Sequence, residues 1–180
     1  MSGAAPDLDR WLGSPTVRTR YRREAAVSAE ELWAAARTVR LRECRVLGRL
    51  IRARIPGLQA SLTFAELFRS PPFNLLEEGP TFTLSGLCGR IWTVRRDFAQ
   101  LARPEEFVEW KVPGTVRVLF ADWAEPVAGG GAALVSEVRI APVDRRAGLY
   151  LRGLQPFISS FQGLVGSEPL NLAVARAGRR

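Results

Sequence analysis

No histidine occurs anywhere in the 180-residue sequence, and that absence removes a large part of enzyme chemistry. A Ser-His-Asp or Cys-His nucleophile, a two-histidine facial iron site and a His-ligated zinc all require an imidazole. Any acid–base work would fall to Arg, Asp, Glu or Tyr, and neither a metal nor an organic cofactor is expected. Cysteine is almost as scarce. Cys44 and Cys88 are far apart, follow no CxxC spacing and lie in apolar surroundings, so both read as reduced core thiols. There is no uncharged apolar run of about 18 residues, and MSGAAPDLDRW has neither a basic start nor an apolar signal core. A cytoplasmic protein without a transmembrane segment is expected. Lysine occurs once, at Lys111, so arginine supplies nearly all of the basic side chains behind the formal charge of +8. Such a bias can follow from GC-rich coding, and by itself it supports only weak attraction to polyanions.

Hydrophobic residues, by contrast, make up 47% of the chain. At this length roughly two thirds or more of the unfolded surface can be buried, which predicts one domain. Its organising stretch is 144–165, DRRAGLYLRGLQPFISSFQGLV, where Leu151, Leu154, Phe157, Ile158, Phe161, Leu164 and Val165 recur at helical steps and form one apolar stripe. Pro156 predicts a kink in that helix. Ser167 reads as the cap of a separate short helix over 168–177. Residues 1–16 read as a flexible arm able to dock only through Trp11 and Leu12, 17–177 as the domain, and 178–180 as a tail.

Between the termini the local signals alternate. Residues 17–27 suit an edge strand. Ser28 with Glu31, preceded by Val27, is a capping box opening a helix at Ala29. A second helix is expected over about 43–55, with Arg42, Arg45, Arg49 and Arg52 along one side. Thr63 with Glu66 caps a short helix before Pro71 and Pro72. A hairpin then joins 73–76 to a long strand over 81–94, on which Phe82, Leu84, Cys88 and Trp92 share one parity with Arg90, opposite Thr81, Thr83 and Ser85. Gly86 and Gly89 are candidate bulge positions. Pro104 opens a helical turn. The closing hairpin pairs Val116, Val118, Phe120 and Asp122 on one face of its first strand with Leu134, Ser136, Val138 and Ile140 on one face of its second, and Glu137 and Arg139 point the other way. The glycines at 129–131 form its turn.

Several segments carry a family likeness: VSAEELWAAA (27–36), GLCGRIW (86–92), EEFVEWKVPG (105–114), SEVRIAPVD (136–144) and the Pro156-containing helix. Over about 17–177 the chain resembles the START-like helix-grip proteins of the SRPBCC superfamily, in particular small actinobacterial-type members. That resemblance implies an α+β fold in which a curved antiparallel sheet, here of about six or seven strands, wraps a long C-terminal helix. It also implies a cavity between sheet and helix for lipids, sterols, polyketides or similar ligands. Some relatives are aromatases or cyclases. Where relatives often carry a Tyr-Trp pair and an arginine in the last helix, this chain has Tyr150, Leu151 and an apolar 157–161, which makes the lining greasier.

The leading expectation is noncatalytic binding of a small apolar or amphipathic ligand, with Phe82, Leu84, Trp92, Phe120, Leu154, Phe157 and Phe161 as walls and Arg90 and Asp122 at the polar end. Arg90 is expected to project between sheet and helix, paired with Asp122 or Glu137. An aromatase/cyclase-like or dehydratase-like enzyme on the same cavity is the first alternative, and it needs Asp122 or Glu137 buried with a shifted pKa. The second is binding of an anionic membrane surface or nucleic acid by the arginine-rich second helix, with nucleic acid the weaker partner.

Overall fold

A computed structural model describes residues 5–44, 48–49, 59, 61–93 and 97–178, without the side chains of 155–166. In chain order the elements are α1 (Leu8–Leu12), β1 (Val17–Ala25), α2 (Ala29–Arg37), a 3-10 turn (Leu41–Glu43), α3 (Phe64–Leu67), β2 (Asn74–Gly79), β3 (Phe82–Gly89), α4 (Glu105–Glu109), β4 (Val116–Pro126), β5 (Ala132–Pro142) and α5 (Arg145–Ala177). The strands form one curved antiparallel sheet in the order β1-β5-β4-β3-β2. Helix α5 packs on β1, β5 and α2. This is the α+β helix-grip arrangement expected, but five strands are present among the described residues in place of six or seven.

Local chemistry places the helices. The Glu31 amide donates to Ser28 Oγ at 3.2 Å and the Ser28 amide to Glu31 Oε2 at 2.9 Å, the reciprocal pair of a capping box. Thr63 and Glu66 repeat it for α3. Asp144 caps α5 by accepting the Ala147 amide at 2.8 Å, and its other oxygen accepts the Gly114 amide at 2.7 Å, which ties the helix start to the loop before β4. The helix then runs 33 residues, so Ser167 begins no new one. Leu170, Ala173 and Ala177 continue a helical stripe against α2, and that packing outweighs a lone capping signal. The side chains of Pro156, Phe157 and Phe161 lie outside the described set. So does most of the helix expected over 43–55, including Arg45 and Arg52; Arg42 and Arg49 are exposed.

The long strand expected over 81–94 ends at Gly89. Its φ of +152° suits only glycine, and a Cβ there would clash with the Asp97 carbonyl oxygen, because the chain folds back to bridge Phe98 to Gly89. Gly86 marks no bulge; a Cβ would meet the Phe107 ring at 2.5 Å, so its bareness lets α4 sit on the sheet. The register shift lies in β2, between Leu75 and Glu77.

The alternation over 81–94 implies one wet and one buried sheet face, and the structure corrects it. Nearly every residue of β3 and β5 is buried. On the side of α5, Leu87, Val116, Val118, Val138 and Ile140 pack with Ala147 and Leu151. On the opposite side, Leu84, Cys88, Leu119, Trp123 and Val135 pack with Leu8, Trp11 and Leu12 of α1 and Phe107 of α4. Both thiols are buried and free, and desolvation pushes each up to about 12.

The segment expected as a loose arm is docked over Leu8–Leu12 through the Trp11–Leu12 pair, and charge seats it. Glu137 is 1% and Arg139 4% exposed, both on the α1 side of β5. Arg139 Nε donates to Glu137 at 2.6 Å, and its Nη1 donates to Asp9 and to the Leu12 carbonyl. Arg18 closes on Glu137 from β1 at 2.9 Å. The hydrogen bond and charge of Arg139 hold the Asp9 carboxyl below its ordinary value. Replacing Arg139 by Ala strands Glu137 beside the half-exposed Arg18. The expected loss is about 3–5 kcal/mol in urea unfolding, with faster amide exchange in Leu8–Leu12, whereas Arg90→Ala at the surface shifts stability by less than about 0.5 kcal/mol.

Candidate functional site

Antiparallel register places Thr83 of β3 opposite Asp122 of β4, Asp122 opposite Ser136 of β5, and Ser136 opposite Tyr21 of β1. All four positions belong to the α5 side of the sheet, so a rank of hydroxyl, carboxyl, hydroxyl and phenol crosses a face that also carries Thr19, Arg23 and Ser85. Leu134 and Ala124 flank it on one side, Phe120 and Val138 on the other.

Over the β3–β4 end of this rank stand α2, α3 and the last third of α5. They leave a pocket bounded by Trp33, Phe64, Phe68, Leu134 and Leu170, with Thr83 and Asp122 on its floor and the exposed Arg37 also on its boundary. About 50 Å³ of it is open to water. The rings of Phe68, Phe73 and Phe120 form a mutual cluster beside it, with centroids 5.0–5.3 Å apart, and Phe64 lies 5.9 Å from Phe68. The buried Ser85 hydroxyl fixes this cluster by donating to the Phe68 carbonyl at 2.7 Å. Trp33, 6% exposed, has an indole N–H with no hydrogen-bond partner among the described residues. A buried donor of that kind is unusual and favours any acceptor brought within reach.

Asp122 dominates the electrostatics. Protein closes around its carboxyl while part of its surface stays open to the pocket. Desolvation raises its pKa to about 6, and the Ser136 hydroxyl, its hydrogen-bond donor, opposes the shift. Among the described residues no cation contributes. Among the described residues, no group of three or more His, Cys, Asp or Glu could hold a metal ion.

Of the residues expected at the site, Asp122 lies in the pocket and Phe120 in the aromatic cluster beside it. Phe82 and Leu84 belong to the opposite layer under α1, because parity reports a shared face and not which face that is. Arg90 lies past the end of β3 with 47% of its side chain exposed, 3.2 Å from Asp97 and donating to the Gly114 carbonyl. It pairs with neither Asp122 nor Glu137. Trp92 stacks on Tyr150 at 5.2 Å near the start of α5, and Leu154 is half-buried outside the pocket lining. Glu137 serves the ion cluster on the far side. Trp33, Phe64, Phe68 and Thr83 were not anticipated. The i, i+4 spacing of Phe64 and Phe68 behind the Thr63 cap signals the first pair of rings; nothing in the sequence distinguishes Thr83 from a solvent-facing threonine.

The raised Asp122 pKa has a definite sign in stability. The folded state holds the proton more tightly than the unfolded chain, so stability falls as pH rises from about 4 to about 6, and the cost is complete above that range. Asp122→Asn is therefore expected to stabilise the fold at pH 8 by about 2–3 kcal/mol, a gain that disappears at pH 4. Urea unfolding at the two pH values checks it.

No protein-family model and no curated protein matches the chain. Among the solved structures that align with it at low similarity, two illustrate the range. TTHA0849 from Thermus thermophilus is 10% identical with a TM-score of 0.36, the alignment covering 91% of this chain and 98% of that one. Ara h 8.0201 is 14% identical with a TM-score of 0.29, covering 91% and 99%. Neither likeness bears on the site.

Proposed function

We propose that the protein binds a small amphipathic molecule, without chemistry, in the pocket between the Thr83–Asp122 floor and helices α2, α3 and α5. One observation carries this reading: a half-buried, desolvated carboxyl lies at the base of an aromatic pocket, where a single hydroxyl is its hydrogen-bond donor among the described residues. Burial of a polar group costs free energy unless something answers it, and a mostly apolar cavity with a few convergent polar groups is the usual form of a small-molecule site. The helix-grip arrangement suits a lipid-like or polyketide-like occupant. Among the described residues no helix is long and apolar enough to cross a membrane.

The raised pKa of Asp122 favours a second reading, in which the same carboxyl exchanges a proton with the ligand in a cyclase-like or dehydratase-like step. The two readings separate on the fate of the ligand. Native mass spectrometry of protein purified from its own host is expected to find a noncovalent adduct that Ala65→Phe, which fills the pocket, removes while cooperative unfolding is retained. An adduct that survives Ala65→Phe overturns the pocket assignment. Conversion of the released ligand on incubation with wild type but not with Asp122→Asn establishes the enzymatic reading instead.

A further inference from the structure

We infer that the pocket takes an organic cation, a primary or secondary ammonium carried on a small apolar or aromatic body. This rests on the pocket reading above and names the chemistry of its occupant. Two carboxylates in this sheet are withdrawn from water, Glu137 fully and Asp122 in part, and they are treated differently. Glu137 meets Arg139 and Arg18 within hydrogen-bonding distance. Among the described residues Asp122 meets no cation, and the charged residue nearest in the lining, Arg37, is exposed on the last turn of α2, where water screens it. The other titratable group in the rank, Tyr21, stands two strands away.

Geometry then selects the ligand. The Ser136 hydroxyl occupies part of the acceptor capacity of Asp122, and a carboxylate has about four lone-pair sites, so most of it is left for donors arriving from the pocket. An ammonium brings two or three N–H donors and the missing positive charge together. Around it stand the aromatic residues Phe64, Phe68 and Trp33, whose ring faces attract cations, while Thr83 across the floor supplies a hydroxyl acceptor. A carboxylate ligand would place like charges together on the floor. A neutral alcohol would satisfy one acceptor and leave the charge unanswered.

The probes are benzylammonium, benzyl alcohol and benzoate, similar in size and differing in charge, titrated by calorimetry and by saturation-transfer NMR at pH 7.5. Benzylammonium is expected to bind wild type at least about tenfold more tightly than the alcohol, with benzoate weakest. Asp122→Asn, which relieves the cost of a desolvated charge and so keeps the fold, should bring amine and alcohol to within about twofold. Equal binding of amine and alcohol to wild type overturns the cation inference and leaves the pocket standing. An amine preference that persists in Asp122→Asn overturns it as well, by placing the recognition elsewhere. If no probe binds up to millimolar concentration, both the cation inference and the pocket reading fail.

Discussion

The ion cluster at the middle of β5 is the interaction on which the rest of the arrangement depends. A guanidinium in the interior is tolerated only when carboxylates and carbonyls surround it, and β5 supplies one of these, Glu137, from its own length. The others, Asp9 and the Leu12 carbonyl, come from the N-terminal segment. Satisfying Arg139 therefore places α1 on the sheet. Once there, α1 delivers Leu8, Trp11 and Leu12 to a face that an exposed antiparallel sheet would leave wet, and Trp11 adds a hydrogen bond to Glu77 on β2. The domain becomes a sheet with two dry faces.

That division frees the other face for a different use of charge. Beneath α5 the rank through Thr83, Asp122, Ser136 and Tyr21 is set among hydrophobic residues, and among the described residues no cation meets Asp122. The contrast between Asp122 and Glu137 is one of environment and not of residue type: the pKa of Asp122 is raised by desolvation, and Glu137 sits in an ion cluster with Arg139 and Arg18. An unanswered polar group in a native fold calls for an explanation in function or in a bound species.

How much of this was legible in the sequence varies with the range of the interaction. Ser28–Glu31 and Thr63–Glu66 are contacts across one helical turn, and both helices start where those residues stand. The β4 parity of Val116, Val118, Phe120 and Asp122 survives because that strand alternates between two layers of different chemistry. β3 defeats the same logic. Leu84 and Cys88 are buried and so are Thr83 and Ser85, since a two-sided core removes the contrast from which a face is read. Arg90 went astray for a local reason, the left-handed backbone at Gly89, which ends the parity before it reaches the arginine. The pairing of Arg139 with Asp9 joins opposite ends of the chain, and no spacing rule reports it.

The two carboxylates also bear on why the closing hairpin holds its register. Its turn, through Gly129, Gly130 and Gly131, brings no side chains to fix the alignment, so those of the strands share in doing it. In the observed pairing Asp122 faces Ser136, and Glu137 lies opposite Ala121 with its side chain on the other face. A slip of one residue turns every side chain of β5 over. Leu134, Val138 and Ile140 would leave the α5 layer, and Arg139 would lose Asp9, Leu12 and Arg18. One direction of slip would set Glu137 directly beside Asp122, two desolvated carboxylates in contact with no cation between them. Like charges so placed cannot both ionise without a large cost. The charged residues of β4 and β5 thus penalise a misregistered sheet more strongly than apolar contacts alone could, and the same placement leaves Asp122 alone on the floor of the pocket.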